Sequence, residues 1–276
     1  MTARRPGRAR RAGGFERIGP MLCFDSGGRG PVLLALHGSF GRGSIFARLA
    51  ADLAGVVRIV APDQRGHGHN RHAGPFGRED FVADAAALVR DLDVGPVIVL
   101  GHSLGGITAY QLAARHPELV SALIVEDVGP VMRRPEIADP VLDVRGWPRE
   151  AVSRAELDAA IRARGVPDAA YFMQSAEPAG DGWRLLFDWE QMVAVQAGGV
   201  GDWWADWLGS SCPALVLRGG HSSLLPADLA EAMVARRPGA TLVEFPDAGH
   251  WIHDDEPAGL AQAVAAFVAS VGVGRS

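Results

Sequence analysis

A serine stands at the centre of the segment GHSLG at 101–105, directly after an apolar run at 96–100. The residues that follow, 106–115, have the composition of a helix. A serine on a sharp turn between a buried strand and a helix exposes its hydroxyl, and flanking glycines let the two elements approach closely. The pattern therefore predicts Ser103 as a catalytic nucleophile, the alternative being an ordinary Gly-Ser turn.

A serine hydroxyl is a weak nucleophile unless an adjacent base takes its proton. His250 lies in the segment FPDAGHW at 245–251, just after an apolar stretch at 241–245. It should therefore emerge at the carboxyl end of a strand, where open parallel sheets bind their ligands. We predict His250 as the general base and expect His253, three residues further on, to be structural.

Strand-length apolar runs alternate with helical spacing along most of the chain, which predicts an α/β fold with a mostly parallel, doubly wound sheet. Two edge strands are expected within 15–24, and helices at 44–53, 79–92, 227–235 and 258–271. The alternation stops at about 131–210, which predicts a helical cap inserted into a core of 15–130 and 211–276. The further predicted strands lie at 32–36, 56–61, 96–100, 122–125, 214–217 and 241–245.

Composition limits the possible functions of the 276-residue chain, which is 48% hydrophobic and 21% charged. Its 27 basic residues are all arginine, which excludes lysine Schiff bases and a P-loop lysine. Residues 1–20 hold six arginines and one glutamate, a net charge of +5, so we expect 1–14 to be a disordered basic leader. Contact of this leader with nucleic acid or an anionic surface is the alternative.

No export signal or membrane-spanning run is expected, and the two cysteines, Cys23 and Cys212, fit a reduced, cytoplasmic protein. We expect a small-molecule partner, no nucleic acid, no membrane, and a monomer or homodimer. No cofactor and no metal are expected. The histidines at 67, 69 and 72 are clustered, but no cysteine or paired carboxylate completes a metal site around them.

Four motifs together resemble the α/β-hydrolase fold family. They are His37-Gly38, DQRGHG at 63–68, GHSLGG at 101–106 and Gly249-His250. The order serine, acid, histidine is also that of the family. The resemblance spans nearly the whole chain beyond residue 20 and implies an α/β-hydrolase fold with a serine active site beneath the cap.

The acid is where the chain departs from the commonest pattern of that family. Most members carry it after the strand that follows the cap, but here that segment reads RGGHSSLLP at 218–226, with Ser222 or Ser223 in its place. Resemblance to a branch with a D-x-x-P turn one strand earlier implies Asp127 instead. Neighbouring strand ends lie about 5 Å apart, so Asp127 can reach the site. Glu126 should face the other way, and it stays open as the weaker candidate, as do Asp63 and a merely structural Asp127.

Two backbone amides should form an oxyanion hole. One is that of Leu104, at the start of the helix after the nucleophile. The resemblance implies Ser39 for the other, with Phe40 as the alternative. The tryptophans between 183 and 207 either line a substrate pocket or pack the cap onto the core. The residues expected to border the substrate are Phe40, His102, Trp183, Trp204 and Trp251.

The resulting hypothesis is a serine hydrolase that cleaves a carboxylic ester, lactone or thioester of a small apolar acid through an acyl-enzyme. Ser103 argues against the haloalkane dehalogenases and epoxide hydrolases of this fold, which use an aspartate nucleophile, and the absence of lysine excludes the lysine-dependent hydroxynitrile lyases. Cofactor-free perhydrolases, carbon–carbon bond hydrolases and non-hydrolytic ligand-binding or cyclase-like members stay open.

Overall fold

An eight-stranded sheet forms the centre of a computed structural model that describes residues 13–70, 74–166 and 168–272. Strands and helices are numbered along the chain. The strands of this sheet are β1 (Gly14–Ile18), β2 (Met21–Asp25), β3 (Val32–Leu36), β4 (Arg58–Pro62), β5 (Val97–His102), β6 (Val120–Glu126), β12 (Ala214–Gly219) and β13 (Ala240–Phe245).

The strands lie in the order β1-β2-β4-β3-β5-β6-β12-β13. The six from β4 to β13 pair in parallel, whereas β1 and β2 form an antiparallel hairpin at one edge. The residues of β3 and β5 are all buried because helices cover both faces, which explains their continuous apolar runs. The predicted α/β fold is confirmed.

Helices on both faces connect the parallel strands, close to the bounds that the sequence predicts. The predicted helix at 44–53 begins as a 3₁₀ turn at Gly43–Phe46 before becoming α-helical. The core helices are α1 (Ala47–Asp52), α2 (Arg78–Leu92), α3 (Leu104–Arg115), α8 (Ala227–Arg236), α9 (Ile252–Asp255) and α10 (Pro257–Ser270).

The segment between β6 and β12 contains strands as well as helices, which differs from the mostly helical cap that the sequence predicts. Its strands are only two to four residues long and half-buried, so they leave no apolar run in the sequence. Its helices are α4 (Arg154–Arg162), α5 (Ala170–Met173), α6 (Trp189–Gly199) and α7 (Trp204–Leu208). The strands β8 (Glu150–Ala151), β10 (Gly182–Leu185) and β9 (Ala176–Ala179) form one sheet, and β7 (Val131–Met132) pairs with β11 (Gly201–Asp202).

The expected leader at 1–14 falls almost wholly outside the described residues, and β1 already begins at Gly14. Within the described ranges, no helix has both the length and the apolar character needed to cross a membrane.

Candidate active site

The turn after β5 holds Ser103 in a backbone conformation that side chains rarely adopt, with φ of 52° and ψ of −120°. Its amide donates a hydrogen bond to the Glu126 carbonyl at 3.0 Å, which fixes the turn against β6. A Cβ on Gly101 would stand 2.2 Å from the Gly105 carbonyl oxygen, and one on Gly105 would stand 2.1 Å from that of Leu36. Only glycines fit at these two positions because strand, turn and helix lie in backbone contact.

Replacing Gly105 by alanine should therefore destabilise the fold by about 3 kcal/mol, the upper part of the range for overpacking. The measurement is urea unfolding. Gly14→Ala is the matched control, since a Cβ there meets nothing within 4 Å. Equal unfolding midpoints for the two variants would contradict the predicted clash.

His250 and Asp127 are joined directly. The His250 Nδ1–H donates to Asp127 Oδ2 at 2.7 Å. The Asp127 side chain is fully buried, and His250 lines the same cavity as Ser103. Because a carboxylate only accepts hydrogen bonds, Nδ1 carries the proton and Nε2 is free to accept one. This is the tautomer that a base acting on a serine hydroxyl requires.

Two donors from β12 and the loop after it hold the Asp127 carboxylate. The Gly219 amide donates to Oδ1 at 2.9 Å, and the Ser222 hydroxyl donates to Oδ2. The Asp127 amide in turn donates to the Leu217 carbonyl at 2.8 Å. Ser222, on the loop after β12, thus contacts the carboxylate supplied by the neighbouring strand.

The loop after β3 lies against the turn that bears Ser103. A Cβ on Gly38 would stand 3.1 Å from the Ser103 Cβ, so the backbone just before Ser39 lies against the nucleophile. Leu104 begins α3, where the first amides of a helix have no partner within the helix. Ser39 and Leu104 both line the cavity, as an oxyanion hole requires.

His37 holds this loop in place. Its Nδ1–H donates to the Gly38 carbonyl at 2.7 Å, and its Nε2 accepts the Gln64 amide at 2.9 Å. Burial lowers the pKa of His37 to about 4, so the ring stays neutral and keeps both contacts. Phe40, three residues after His37, has a φ of 70°, a strained value of the kind found at functional sites.

A cavity of about 610 Å³ opens in front of Ser103. Of the five residues predicted to border the substrate, Phe40, His102 and Trp251 line it. Its walls are largely apolar and come from both core and cap. Further lining residues are Ile107, Val128, Met132, 139–143, Tyr171, Phe172, Gln196, Gly199 and 221–224.

Trp183 and Trp204 are not among the residues that line this cavity, so the structure does not bring them to the site. Trp183 lies in β10 with the Arg154 guanidinium 5.9 Å from its ring centroid. Trp204 begins α7, and the Arg236 guanidinium lies 3.7 Å from its ring centroid. Both are partly buried. Trp204 packs cap against core through Arg236 of α8, the alternative that the sequence left open, whereas Trp183 contacts Arg154 within the cap.

Gln196 is a cavity residue that the sequence did not indicate. Its side-chain amide donates to the Leu142 carbonyl at 3.0 Å and accepts the Leu142 amide at 2.8 Å. It thereby fixes the irregular segment 139–143 across α6. No local sequence signal marks this contact, since the two residues are far apart in the chain.

The two described histidines of the 63–72 loop, His67 and His69, contact different groups. The buried His67 Nδ1–H donates to the Arg65 carbonyl at 2.9 Å, and burial lowers its pKa to about 3. His69 Nε2 lies 3.3 Å from Glu177, in the cap. His72 falls outside the described residues.

A different group of potential ligands, His102, Glu126 and His253, brings one atom from each residue within 4.8 Å of the others. Each residue makes hydrogen bonds through one of its ligand atoms, whereas His102 Nδ1, Glu126 Oε2 and His253 Nε2 are buried without a hydrogen-bond partner. His253 Nδ1–H donates to Glu126 at 2.7 Å, and His102 Nε2–H donates to the His250 carbonyl at 2.9 Å. Glu126 therefore does face away from the Asp127 carboxylate, as strand alternation predicts, and contacts a different histidine.

Comparison with known proteins agrees with the fold described above. A family model described as alpha/beta hydrolase fold matches residues 31–257. The chain is 27% identical over 257 residues to the sn-1-specific diacylglycerol lipase ABHD11 of Mus musculus, covering 87% of this chain and 81% of that lipase. It is 27% identical over 247 residues to the 2-(acetamidomethylene)succinate hydrolase of Mesorhizobium japonicum, covering 87% and 89% of the two chains. A solved structure of E-2-(acetamidomethylene)succinate hydrolase aligns with a TM-score of 0.81 at 25% identity, over 93% of this chain and 98% of that one.

The chain belongs to the alpha/beta hydrolase fold family. The relatives named above are a lipase and another hydrolase, and the chain is an enzyme of that hydrolase type.

Proposed function

We propose that the protein is a serine hydrolase that cleaves carboxylic esters, lactones or thioesters of an uncharged acyl group through an acyl-enzyme. The observation that carries the proposal is the 2.7 Å hydrogen bond between His250 and the buried Asp127, at a cavity that Ser103 also lines. The membership of lipases and hydrolases among its relatives supports the same reaction class.

In the proposed mechanism, Ser103 Oγ attacks the substrate carbonyl while His250 Nε2 takes its proton. Asp127 keeps the imidazole in the required tautomer and stabilises the imidazolium that forms. The Ser39 and Leu104 amides donate to the oxyanion, a contribution worth about 3 kcal/mol per donor in known enzymes. His250 then protonates the leaving alcohol or thiol, and water, activated by the same imidazole, hydrolyses the acyl-enzyme and regenerates Ser103.

The cavity wall favours an uncharged acyl group. Among the described residues that line it there is no arginine, and the chain has no lysine. Its acidic lining residues, Asp139 and Asp143, belong to the exposed segment and pair with Arg134 and Arg145. An unpaired carboxylate buried against apolar walls loses its hydration without compensation. A substrate with a second carboxylate would therefore bind poorly.

The function is tested by treating the protein with a fluorophosphonate probe and by measuring hydrolysis of p-nitrophenyl esters of short acids. We expect stoichiometric labelling, with the adduct found by mass spectrometry on the peptide that contains Ser103. The ester and the probe should compete, so that excess ester present during labelling slows it and prior labelling abolishes ester hydrolysis. A protein that neither reacts with the probe nor hydrolyses any ester, lactone or thioester would contradict the proposal.

Charge selectivity gives a second measurement on the same site. We expect kcat/KM for mono-p-nitrophenyl adipate to lie at least about 100-fold below that for p-nitrophenyl hexanoate, because burial of an unpaired carboxylate costs several kcal/mol. The methyl ester of the adipate has the same chain without the charge and should recover most of the loss. Equal rates for the adipate and the hexanoate would contradict the assignment of an uncharged acyl group.

A further inference from the structure

A second carboxylate–imidazole pair lies beside the first and is not used by the proposed mechanism. Glu126 and Asp127 are consecutive at the end of β6, and each binds a histidine from the segment after β13. Asp127 accepts from His250, and Glu126 Oε1 accepts from both the Nδ1–H of His253 at 2.7 Å and its backbone amide at 3.0 Å. The Glu126 side chain is fully buried and that of His253 is 2% exposed.

Glu126 also holds the nucleophile. Its carbonyl accepts the Ser103 amide at 3.0 Å, and it pairs with His102 across the β5–β6 ladder. One residue therefore connects the turn that bears Ser103, through its backbone, to the helix that follows His250, through its carboxylate. A shift of this carboxylate would move the base relative to the serine.

His102 makes a second connection between the same two segments. Its Nε2–H donates to the His250 carbonyl at 2.9 Å, and its ring lies 4.6 Å from that of His250 and 4.8 Å from that of His253, measured between centroids. Burial holds the pKa of His102 well below its ordinary value, so the ring remains neutral and keeps the tautomer that makes this bond. The segment from His250 to His253 is thus fixed from β5 and β6.

We infer that Glu126 and His253 are positioning residues for the reaction, a buried pair that sets the distance between the imidazole of His250 and the hydroxyl of Ser103. The inference rests on the proposed function, since it assigns the pair a role in that reaction. Two side chains that only filled space could be apolar, and a buried ion pair contributes little net stability compared with apolar residues of similar size. The hydrogen-bonded pair of Glu126 and His253 fixes a specific geometry, which an apolar pair would not do.

The surroundings of His253 favour its charged form despite complete burial. Burial opposes the charge, but Glu126, with smaller effects from Asp254 and Asp255 on its own helix, holds the pKa of His253 above its ordinary value. The other groups packed against it are His102 from β5 and Tyr171 from the cap, with rings 4.8 and 5.9 Å from that of His253. Neither carries a compensating negative charge, so Glu126 is the partner on which this charge depends.

The test compares Glu126→Ala, Glu126→Gln and His253→Gln by kcat for a p-nitrophenyl ester, expressed per active site titrated with the fluorophosphonate probe. Titration removes the effect of unfolded protein. We expect kcat of Glu126→Ala to fall about 100-fold with little change in KM, the size of effect caused by misplacing a reacting group by about 1 Å. Glu126→Gln keeps an acceptor for both N–H groups and should recover most of the loss. Because the two residues act as a unit, Glu126→Gln/His253→Gln should lose no more than the worse single variant.

Glu118→Gln is the matched control. Glu118 forms an exposed pair with His116, 3.6 Å apart, before β6 and therefore at the opposite end of that strand. It should leave kcat unchanged. A Glu126→Ala variant whose kcat per titrated site equals that of the wild type, with only its melting temperature lowered, would overturn the inference and leave the pair a purely structural one.

A spectroscopic measurement separates failure of this inference from failure of the proposed function. The Nδ1 proton of His250 should give a downfield proton NMR signal that disappears in His250→Gln. We expect that signal to shift or broaden in Glu126→Ala and to stay in place in Glu118→Gln. If the wild type does not react with the probe, the proposed function fails, yet an unchanged signal in Glu126→Ala would still overturn the positioning role.

Discussion

Replacing Ser103 by alanine is expected to lower kcat for p-nitrophenyl esters by about 10⁶-fold, which is the loss found when the nucleophile of a serine hydrolase is removed. The hydroxyl is the only group at this turn that can form the acyl-enzyme, since its neighbours Leu104 and His102 offer an amide and a neutral imidazole that is hydrogen-bonded elsewhere. Fluorophosphonate labelling should be abolished as well.

The fold of Ser103→Ala should remain intact, since Ser103 makes its hydrogen bonds at the turn through its backbone. The φ of 52° is already unfavourable for serine, and alanine adds no atom that would clash. Thermal unfolding within a few degrees of the wild type would show that the loss is chemical. Substantial ester hydrolysis by this variant would mean that another residue is the nucleophile.

The positions of the core elements could be predicted because each buried parallel strand leaves a continuous apolar run in the sequence. The run before Ser103 and the one before Asp127 both became strands of the central sheet, β5 and β6, and the two are adjacent. The carboxyl ends of adjacent parallel strands lie side by side, so the residues that follow the two strands come close together. The proximity of Asp127 to the site follows from that rule, since β6 stands between β5 and β12.

The cap could not be predicted to the same extent. Its strands pair over only two to four residues, and whether a tryptophan there lines the cavity depends on contacts with distant parts of the chain. Trp183 and Trp204 each stack against an arginine instead, whereas Tyr171 and Phe172, on the short helix α5, reach the cavity. The aromatic composition predicted a packed cap but did not show which of its residues line the cavity.

The contacts among charged groups at the site also lie beyond what the sequence shows. Strand alternation separates Glu126 from Asp127, but it does not reveal that His253 lies within 2.7 Å of Glu126. Likewise, the sequence does not show that Ser222 donates to Asp127, which is seen only in the structure. Both contacts join segments that are about a hundred residues apart, so local pattern carries no information on them.

Replacing Asp127 by asparagine is expected to lower kcat by about 10⁴-fold, because an amide at this position no longer holds the imidazole in the tautomer that accepts the serine proton. The change is nearly isosteric, and Gly219 can still donate to the side-chain oxygen. Steady-state kinetics per folded molecule should therefore show a fall in kcat with the fold preserved. Asp228→Asn is the matched control and should leave kcat unchanged. The Asp228 carboxylate is exposed and accepts a hydrogen bond from the Leu229 amide.

Substitutions at Ser222 test whether the acid that orients the imidazole is Asp127 or lies on the loop after β12. Its hydroxyl contacts the same carboxylate oxygen as His250 does, so Ser222→Ala removes one hydrogen bond to the acid and should cost less than about tenfold in kcat. The reverse substitution is more informative. A carboxylate introduced at 222 would lie near the imidazole, so kcat of Asp127→Asn/Ser222→Asp should be at least about tenfold above that of Asp127→Asn alone. Ser222→Asp in the wild-type background places two carboxylates together and should lower activity. Full activity in Asp127→Asn would show that the acid lies elsewhere, and a loss near 10⁴-fold in Ser222→Ala would contradict the minor role expected for this hydroxyl.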